Sequence, residues 1–355
     1  MARERLIDAK KAVAQGKSPA LEKQREKRRL TAAKTFGDVA GKWLADARMA
    51  DSTKAMRKSI VDRDILPAFQ NRQLNEITAD DLRALCNKVK ARGAPATAVH
   101  IRDIVKQVYA FAILHGEKVD NPAESVGAAS IATFVPKDRA LSPLEIRLMA
   151  RQMESVATYL TIRLALRMIL LTLVRKSELI EATWAEVDFE NAIWTIPKAR
   201  MKGRNPHVVY LSRQAVDILV ALHTCAAGSK FVLPSRYDAD RCMSKATLNR
   251  VTQIVSERAK AAGLPLEPFT VHDLRRTGST LLNEVGFNGD WIEKCLAHED
   301  GRSSRSIYNK AEYAEQRRHM LQEWADMVDA WIDGRTHVPK LLSENVVVPV
   351  LSAAL

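Results

Sequence analysis

Phe269-Thr270-Val271-His272-Asp273-Leu274-Arg275-Arg276-Thr277 places an imidazole and a guanidinium three residues apart, directly after an apolar opening. The pattern predicts a helix over 270–285, and on a helix positions i and i+3 share a face. One oxygen atom can therefore meet both His272 and Arg275. The plainer reading is a capped helix start with a surface Asp273–Arg276 pair, and an isolated His-x-x-Arg is a weak signal. What surrounds it decides between the two.

Working outward, the chain reads as helical nearly everywhere. Helical spacing covers 212–223, 244–262, 289–297 and 312–332, and the most apolar helix spans 156–174. Ser142 can cap a helix that has Pro143 at its first position and Glu145 three residues on. Earlier, Thr35 precedes Phe36, Val39, Ala40, Trp43 and Leu44 at helical spacing. A helix over 52–66 ends at Pro67, one over 78–91 opens at Thr78 and closes at Gly93, and one over 95–115 carries Ile101, Ile104, Val105, Val108 and Phe111. The period changes at Ile193-Trp194-Thr195-Ile196 and His207-Val208-Val209-Tyr210-Leu211, two β-type runs joined by the basic loop 198–205. The fold class is therefore mainly α with a small β-sheet (α+β).

The chain has 355 residues, too many for one ordinary domain. Residues 35–122 form an all-helical domain that Asn121-Pro122 ends; 123–137, with Gly127 and Pro136, form a linker; 138–332 form a mixed, mostly helical domain. Residues 1–34 are a basic helical segment broken at Gly16-Lys17-Ser18-Pro19. The tail 333–355 holds an apolar, β-prone run at 344–351 that packs in cis or adds a strand to a neighbour.

Hydrophobic residues make up 46% and charged residues 27%, as in folded soluble domains. A net charge of +13 asks for a polyanion or a solvated surface. Residues 1–34 hold eleven Lys and Arg against four Asp and Glu, so the excess is concentrated at the front. Nucleic acid is the leading partner, against a solvated helix whose charge merely aids solubility. Cys86, Cys225, Cys242 and Cys295 show no Cys-x-x-Cys spacing and support neither a disulfide framework nor a metal site. No apolar signal core follows Met1, and the run from Leu160 to Val174 is interrupted by Arg163 and Arg167. It reads as a buried core helix of a cytoplasmic, nucleoid-associated protein with no membrane partner.

Breaking a DNA phosphodiester without water needs fixed cations at the non-bridging oxygens, a nucleophile with a proton to lose, and an acid for the departing 5′ oxygen. Arginine suits the first task, because its donor fork matches phosphate. One arginine stands in Leu173-Val174-Arg175-Lys176-Ser177-Glu178-Leu179, directly after the most apolar helix, where charge asks for a partner. Glu178 either buttresses Arg175 or makes an ordinary i,i+3 ion pair. Further on, Leu296-Ala297-His298 is followed ten residues later by Tyr308, which alone reads more readily as amphipathic packing.

Together these residues resemble the tyrosine recombinase (phage integrase) family, in the right order across nearly all of 35–332. The first arginine of that family falls on Arg175, and the hairpin lysine on Lys202 in Arg200-Met201-Lys202-Gly203-Arg204-Asn205-Pro206-His207. The His-x-x-Arg pair falls on His272 and Arg275, the second histidine on His298 and the nucleophile on Tyr308. The stretch from Leu296 to Asp329, with Tyr308-Asn309-Lys310-Ala311-Glu312-Tyr313 and Trp324-Ala325-Asp326, is similar to satellite-phage-type integrases of genomic islands.

The resemblance implies a site-specific recombinase that integrates a mobile element through a 3′-phosphotyrosine link, with no metal and no cofactor. Arg175 and Arg275 would clamp the scissile phosphate, His298 would hydrogen-bond it, His272 would serve as base toward Tyr308, and Lys202 would protonate the 5′ oxygen. The implied partners are double-stranded attachment-site DNA, four protomers on that DNA, and accessory bending or directionality factors. Tyr313 competes as nucleophile, and Tyr210 stands where relatives carry proline. The family's core-binding module would correspond to 35–122, with Lys54, Arg57, Lys58, Arg102 and Lys106 as phosphate contacts. Full-length relatives begin with an arm-binding domain, most of which the resemblance finds missing here. Two rival readings are a type IB topoisomerase and a catalytically idle DNA-binding remnant of an integrase.

Overall fold

The structure is a computed structural model that describes residue 18 and residues 34–134, 138–201, 205–297 and 311–342. The chain divides between Pro136 and Lys137 into two compact units, each with its own apolar core. The expected basic helical segment and the β-prone tail run lie outside the described residues.

In the first unit, helices α1 (Phe36–Asp46), α2 (Asp51–Ile60), α3 (Leu66–Phe69), α4 (Ala79–Ala91), α5 (Pro95–Leu114) and α6 (Ala128–Ile131) follow one another. Thr35 and Thr78 start α1 and α4 with reciprocal caps, in which Asp38 and Asp81 accept the N–H of the capping threonine. Each cap is worth about 1 kcal/mol. Phe36, Ile65, Phe69, Leu82, Ile101 and Val105 fill the core. The buried Tyr109 phenol donates to the Leu74 carbonyl at 2.7 Å, which satisfies its polar tip.

Two features depart from expectation. The helix expected to end at Pro67 does not, because α2 runs through a π-helical turn, Val61–Ile65, into α3. Leu66 N–H bonds to the Val61 carbonyl, one residue further back than the α register, and this wider turn accommodates the proline ring. Part of the expected linker also belongs to the first unit, since Ala123, Val126 and Ile131 are buried in its core. Arg102 on α5 straps this irregular stretch down, donating to the carbonyls of Val126 at 2.7 Å and Ala123 at 3.2 Å. No apolar period marks the segment, because a side chain from another element supplies its donors.

The second unit contains α7 (Pro143–Ser155), α8 (Leu160–Thr172), α9 (Lys176–Ile180), β1 (Val187–Asp188), β2 (Ile193–Ile196), β3 (His207–Tyr210), α10 (Arg213–Cys225), α11 (Lys245–Ala261), α12 (Val271–Glu284), α13 (Gly289–Cys295) and α14 (Ala314–Asp333). The sheet is antiparallel in the order β1-β2-β3, with Trp194 opposite Val209 and Ile196 opposite His207. Strand β1, two residues long, is too short to show a period. Helix α8 carries its apolar side chains inward, and the Trp324 indole of α14 donates to its Leu170 carbonyl at 2.8 Å. Among the described residues no helix is long and apolar enough to cross a membrane.

Helix α8 ends at Leu173, a fully buried leucine with φ of 59°, in the left-handed region. That conformation costs a non-glycine residue about 1 kcal/mol, and it turns the chain so that Arg175 heads α9. Facing it is Gly278 of α12, where an added Cβ would lie 2.2 Å from the Leu173 Cδ2. The missing side chain lets α12 settle against the end of α8. Gly278→Ala should therefore lower the unfolding free energy by about 1–3 kcal/mol despite alanine's better helix propensity. Urea denaturation checks this, and an unchanged midpoint would mean that Leu173 is free to move aside.

Candidate active site

Arg275 projects from the first turns of α12 into the core and is 3% exposed. Its two terminal nitrogens donate to the carbonyls of Leu173 and Leu296. Among the described residues it has no carboxylate in contact. Burial, followed by the charge of Arg175, pushes its guanidinium down to about 10, so it remains a cation at neutral pH. Arg175 stands at the head of α9, donating from its backbone N–H and from Nη1 to the two oxygens of Glu178 at 2.7 and 2.8 Å. Glu178 is thus a buttress rather than an ordinary surface partner: its side chain is 3% exposed. Arg175 Nη2 reaches the Ala297 carbonyl at 3.4 Å. The two guanidinium groups accordingly hold successive carbonyls, Leu296 and Ala297, just ahead of His298.

His272 lies three residues before Arg275 on the same helix and is solvent-accessible. Partial burial, then the charges of Arg276 and Arg275, lowers its pKa below the ordinary 6.5, which favours the neutral ring. The helix start that carries it is a capping box: Thr270 N–H and Oγ1 both donate to Asp273 Oδ2 at 2.8 Å. Asp273 also accepts from Arg276 at 2.9 Å, so the pair expected at the surface exists on a carboxylate that is 3% exposed. The capped helix start and the face shared by His272 and Arg275 are both present on one turn.

Three of the six expected residues, Arg175, His272 and Arg275, are brought together. The other three, Lys202, His298 and Tyr308, lie outside the described residues. The base of the Lys202 hairpin is nevertheless tied to the site. Arg200 donates to the Glu178 carbonyl at 2.9 Å and pairs with Glu186, which also accepts from the Trp194 indole at 3.0 Å. Glu178 therefore serves Arg175 with its carboxylate and the hairpin with its backbone oxygen.

Two residues escaped the sequence reading. His207, on β3, is buried, and its Nε2 has no hydrogen-bond partner among the described residues. Burial, with the charges of Arg317, Arg275 and Arg175, pushes it down to about 3, so the ring is neutral. Arg317, on α14, is 1% exposed. Its position shares the inward face of Met320, Leu321 and Trp324, and an arginine in register with those apolar residues was the available signal. Among the described residues no group of acidic, His or Cys side chains is arranged to hold a metal ion.

The expected phosphate contacts of the first unit divide into two kinds. Arg102 donates to the Ala123 and Val126 carbonyls and to Asp103, with a side chain 14% exposed. Arg57 donates to Gln107 at 2.8 Å and lies 5.6 Å from the Trp43 ring centroid. Lys54 touches the Ala45 carbonyl at 3.4 Å, while Lys58 and Lys106 pair with Asp62 and Glu124 in contacts that are exposed and exchangeable.

Residues 139–315 match the model of the phage integrase family, and residues 36–129 match that of the phage integrase central domain. A prophage integrase of Escherichia coli K12, IntZ, is 33% identical over 94% of this chain and 81% of its own length. The integrase of enterobacteria phage P4 is 27% identical over 92% of this chain and 77% of its own. Among solved structures, a lambda integrase tetramer bound to a Holliday junction superposes with a TM-score of 0.63 at 20% identity, covering 87% of this chain and 90% of that one, and so shares the fold. Match and geometry agree: the chain belongs to the phage integrase family.

Proposed function

We propose that this chain is a tyrosine-type site-specific DNA recombinase that integrates a mobile element, with Arg175, Lys202, His272, Arg275, His298 and Tyr308 as its catalytic set. One observation carries the reading: two guanidinium groups stand side by side on successive carbonyls, and the buried one has no carboxylate in contact among the described residues. Such a pair is costly to hold empty and is matched to an anion with several acceptor oxygens, which a DNA phosphate supplies. The relatives' names, prophage integrases and a tyrosine recombinase, support recombination over topoisomerase activity or an idle remnant.

In the proposed cleavage, Arg175 and Arg275 neutralise the non-bridging oxygens as charge builds on them. The Tyr308 oxygen forms a bond to phosphorus, its proton passes to the neutral His272, and the bond to the 5′ oxygen breaks. Lys202 gives that oxygen a proton, and His298 hydrogen-bonds the phosphate. The 3′-phosphotyrosine conserves the bond, so a 5′ hydroxyl from another strand reverses the step. Exchange of two strand pairs takes four protomers on double-stranded DNA, and accessory bending or directionality proteins would set the outcome. Lys54, Arg57, Lys58, Arg102 and Lys106 remain proposed phosphate contacts, and activity on chromosomal DNA would bring the protein to the nucleoid. Tyr313 is a poorer nucleophile because its ring packs against the core of the second unit.

A nicked suicide DNA bearing the attachment core should trap a covalent adduct with the wild type and with Tyr313→Phe, and none with Tyr308→Phe. An adduct surviving in Tyr308→Phe defeats the assignment. Arg275→Lys, which keeps the charge but loses the planar fork, should slow single-turnover cleavage by about 100-fold. The cleavage rate should rise with pH through the His272 pKa, below 6.5, and level off above it, because only the neutral ring accepts the phenol proton. Removal of that acid limb in His272→Ala checks the assignment; a limb left in place refutes it.

A further inference from the structure

Arg317 makes contacts that the proposed chemistry does not require. From α14 its Nη2 donates to the Val208 carbonyl of β3 at 2.5 Å, and its Nη1 donates to the Glu312 carbonyl at 3.2 Å. The Glu312 carboxylate lies 3.6 Å away, and the Tyr210 ring centroid is 4.9 Å from the guanidinium carbon. The buried Cys295, at the end of α13, lies within the electrostatic reach of the same guanidinium. On the outer side, Lys294 Nζ meets Glu312 Oε1 at 3.1 Å. Cys295 stands three residues before His298, and Glu312 four residues after Tyr308. The buried Arg317 ties Glu312 to the strand that leaves the Lys202 hairpin, and the Lys294–Glu312 pair carries the link on to α13.

We infer that Arg317 is a positioning residue for DNA cleavage: by joining Glu312 and α13 to β3, it sets where Tyr308 and His298 stand relative to Arg175 and Arg275. This rests on Tyr308 being the nucleophile. The fork is what does it, because two donors in one plane reach carbonyls on two elements while the flat face stacks on Tyr210. A lysine keeps the charge and loses that reach. Tyr210, which stands where relatives carry proline, provides the surface on which the guanidinium rests.

The test starts from wild-type protein whose adduct is blocked by Tyr308→Phe; if the wild type forms none, the functional reading fails and this one is not reached. Cleavage rate at saturating suicide DNA and affinity for that DNA are then measured for Arg317→Lys, at a temperature where its circular dichroism overlays the wild type's. The expected result is cleavage about 100-fold slower with DNA affinity unchanged, since small misplacements of a nucleophile cost that much. Arg318→Lys, at a residue that donates to Asn191 and lies over the same ring, should cleave normally. Wild-type cleavage in Arg317→Lys, or cleavage and affinity falling together, overturns the inference. Should Arg317→Lys fail to fold, Arg317→Gln, whose single amide cannot span both carbonyls, is measured in the same way: slower cleavage at unchanged affinity supports the inference, and a wild-type rate overturns it.

Discussion

The grip of Arg275 on the carbonyls of Leu173 and Leu296 is the constraint on which the rest of the second unit's site depends. One carbonyl closes the most apolar helix, and the other lies just beyond α13. A single guanidinium thereby ties the end of α8 to the residue that follows α13. The left-handed turn at Leu173 and the missing side chain at Gly278 are the local concessions that let the two helices come close enough for this contact.

The surrounding charges follow from that arrangement. A buried cation beside a second cation is tolerable only where carbonyl dipoles and at least one carboxylate are fixed nearby, and Glu178 is that carboxylate, used on both its side chain and its backbone. The neutral imidazoles at His207 and His272 fit the same logic, because a further positive charge in this space would have no counterpart.

Much of the fold was legible locally. The capping residues Thr35, Thr78 and Ser142, the apolar period of α5 and the face shared by His272 and Arg275 all depend on neighbours within one or two turns, which a sequence displays directly. What was not legible depends on partners far along the chain. Arg102 looks like any exposed cation of a helix until residues 123–126 fold back beneath it. The π-helical turn before Pro67, the inward Arg317 and the buried His207 are likewise decided by packing. Arg175 could be picked out by its place after a buried helix, but Lys202, His298 and Tyr308 were found through family resemblance, since none stands in a local pattern that demands it.

Clustered guanidinium groups have an energetic implication for the folded chain. Folding brings like charges together that the unfolded chain keeps apart, so the folded state carries electrostatic stress. Any polyanion that settles there relieves it, and binding is then coupled to rigidity by mass action. Occupied by nucleic acid, the unit should resist heat, proteases and denaturant better than it does alone, with sulfate or phosphate ions giving a weaker form of the same protection.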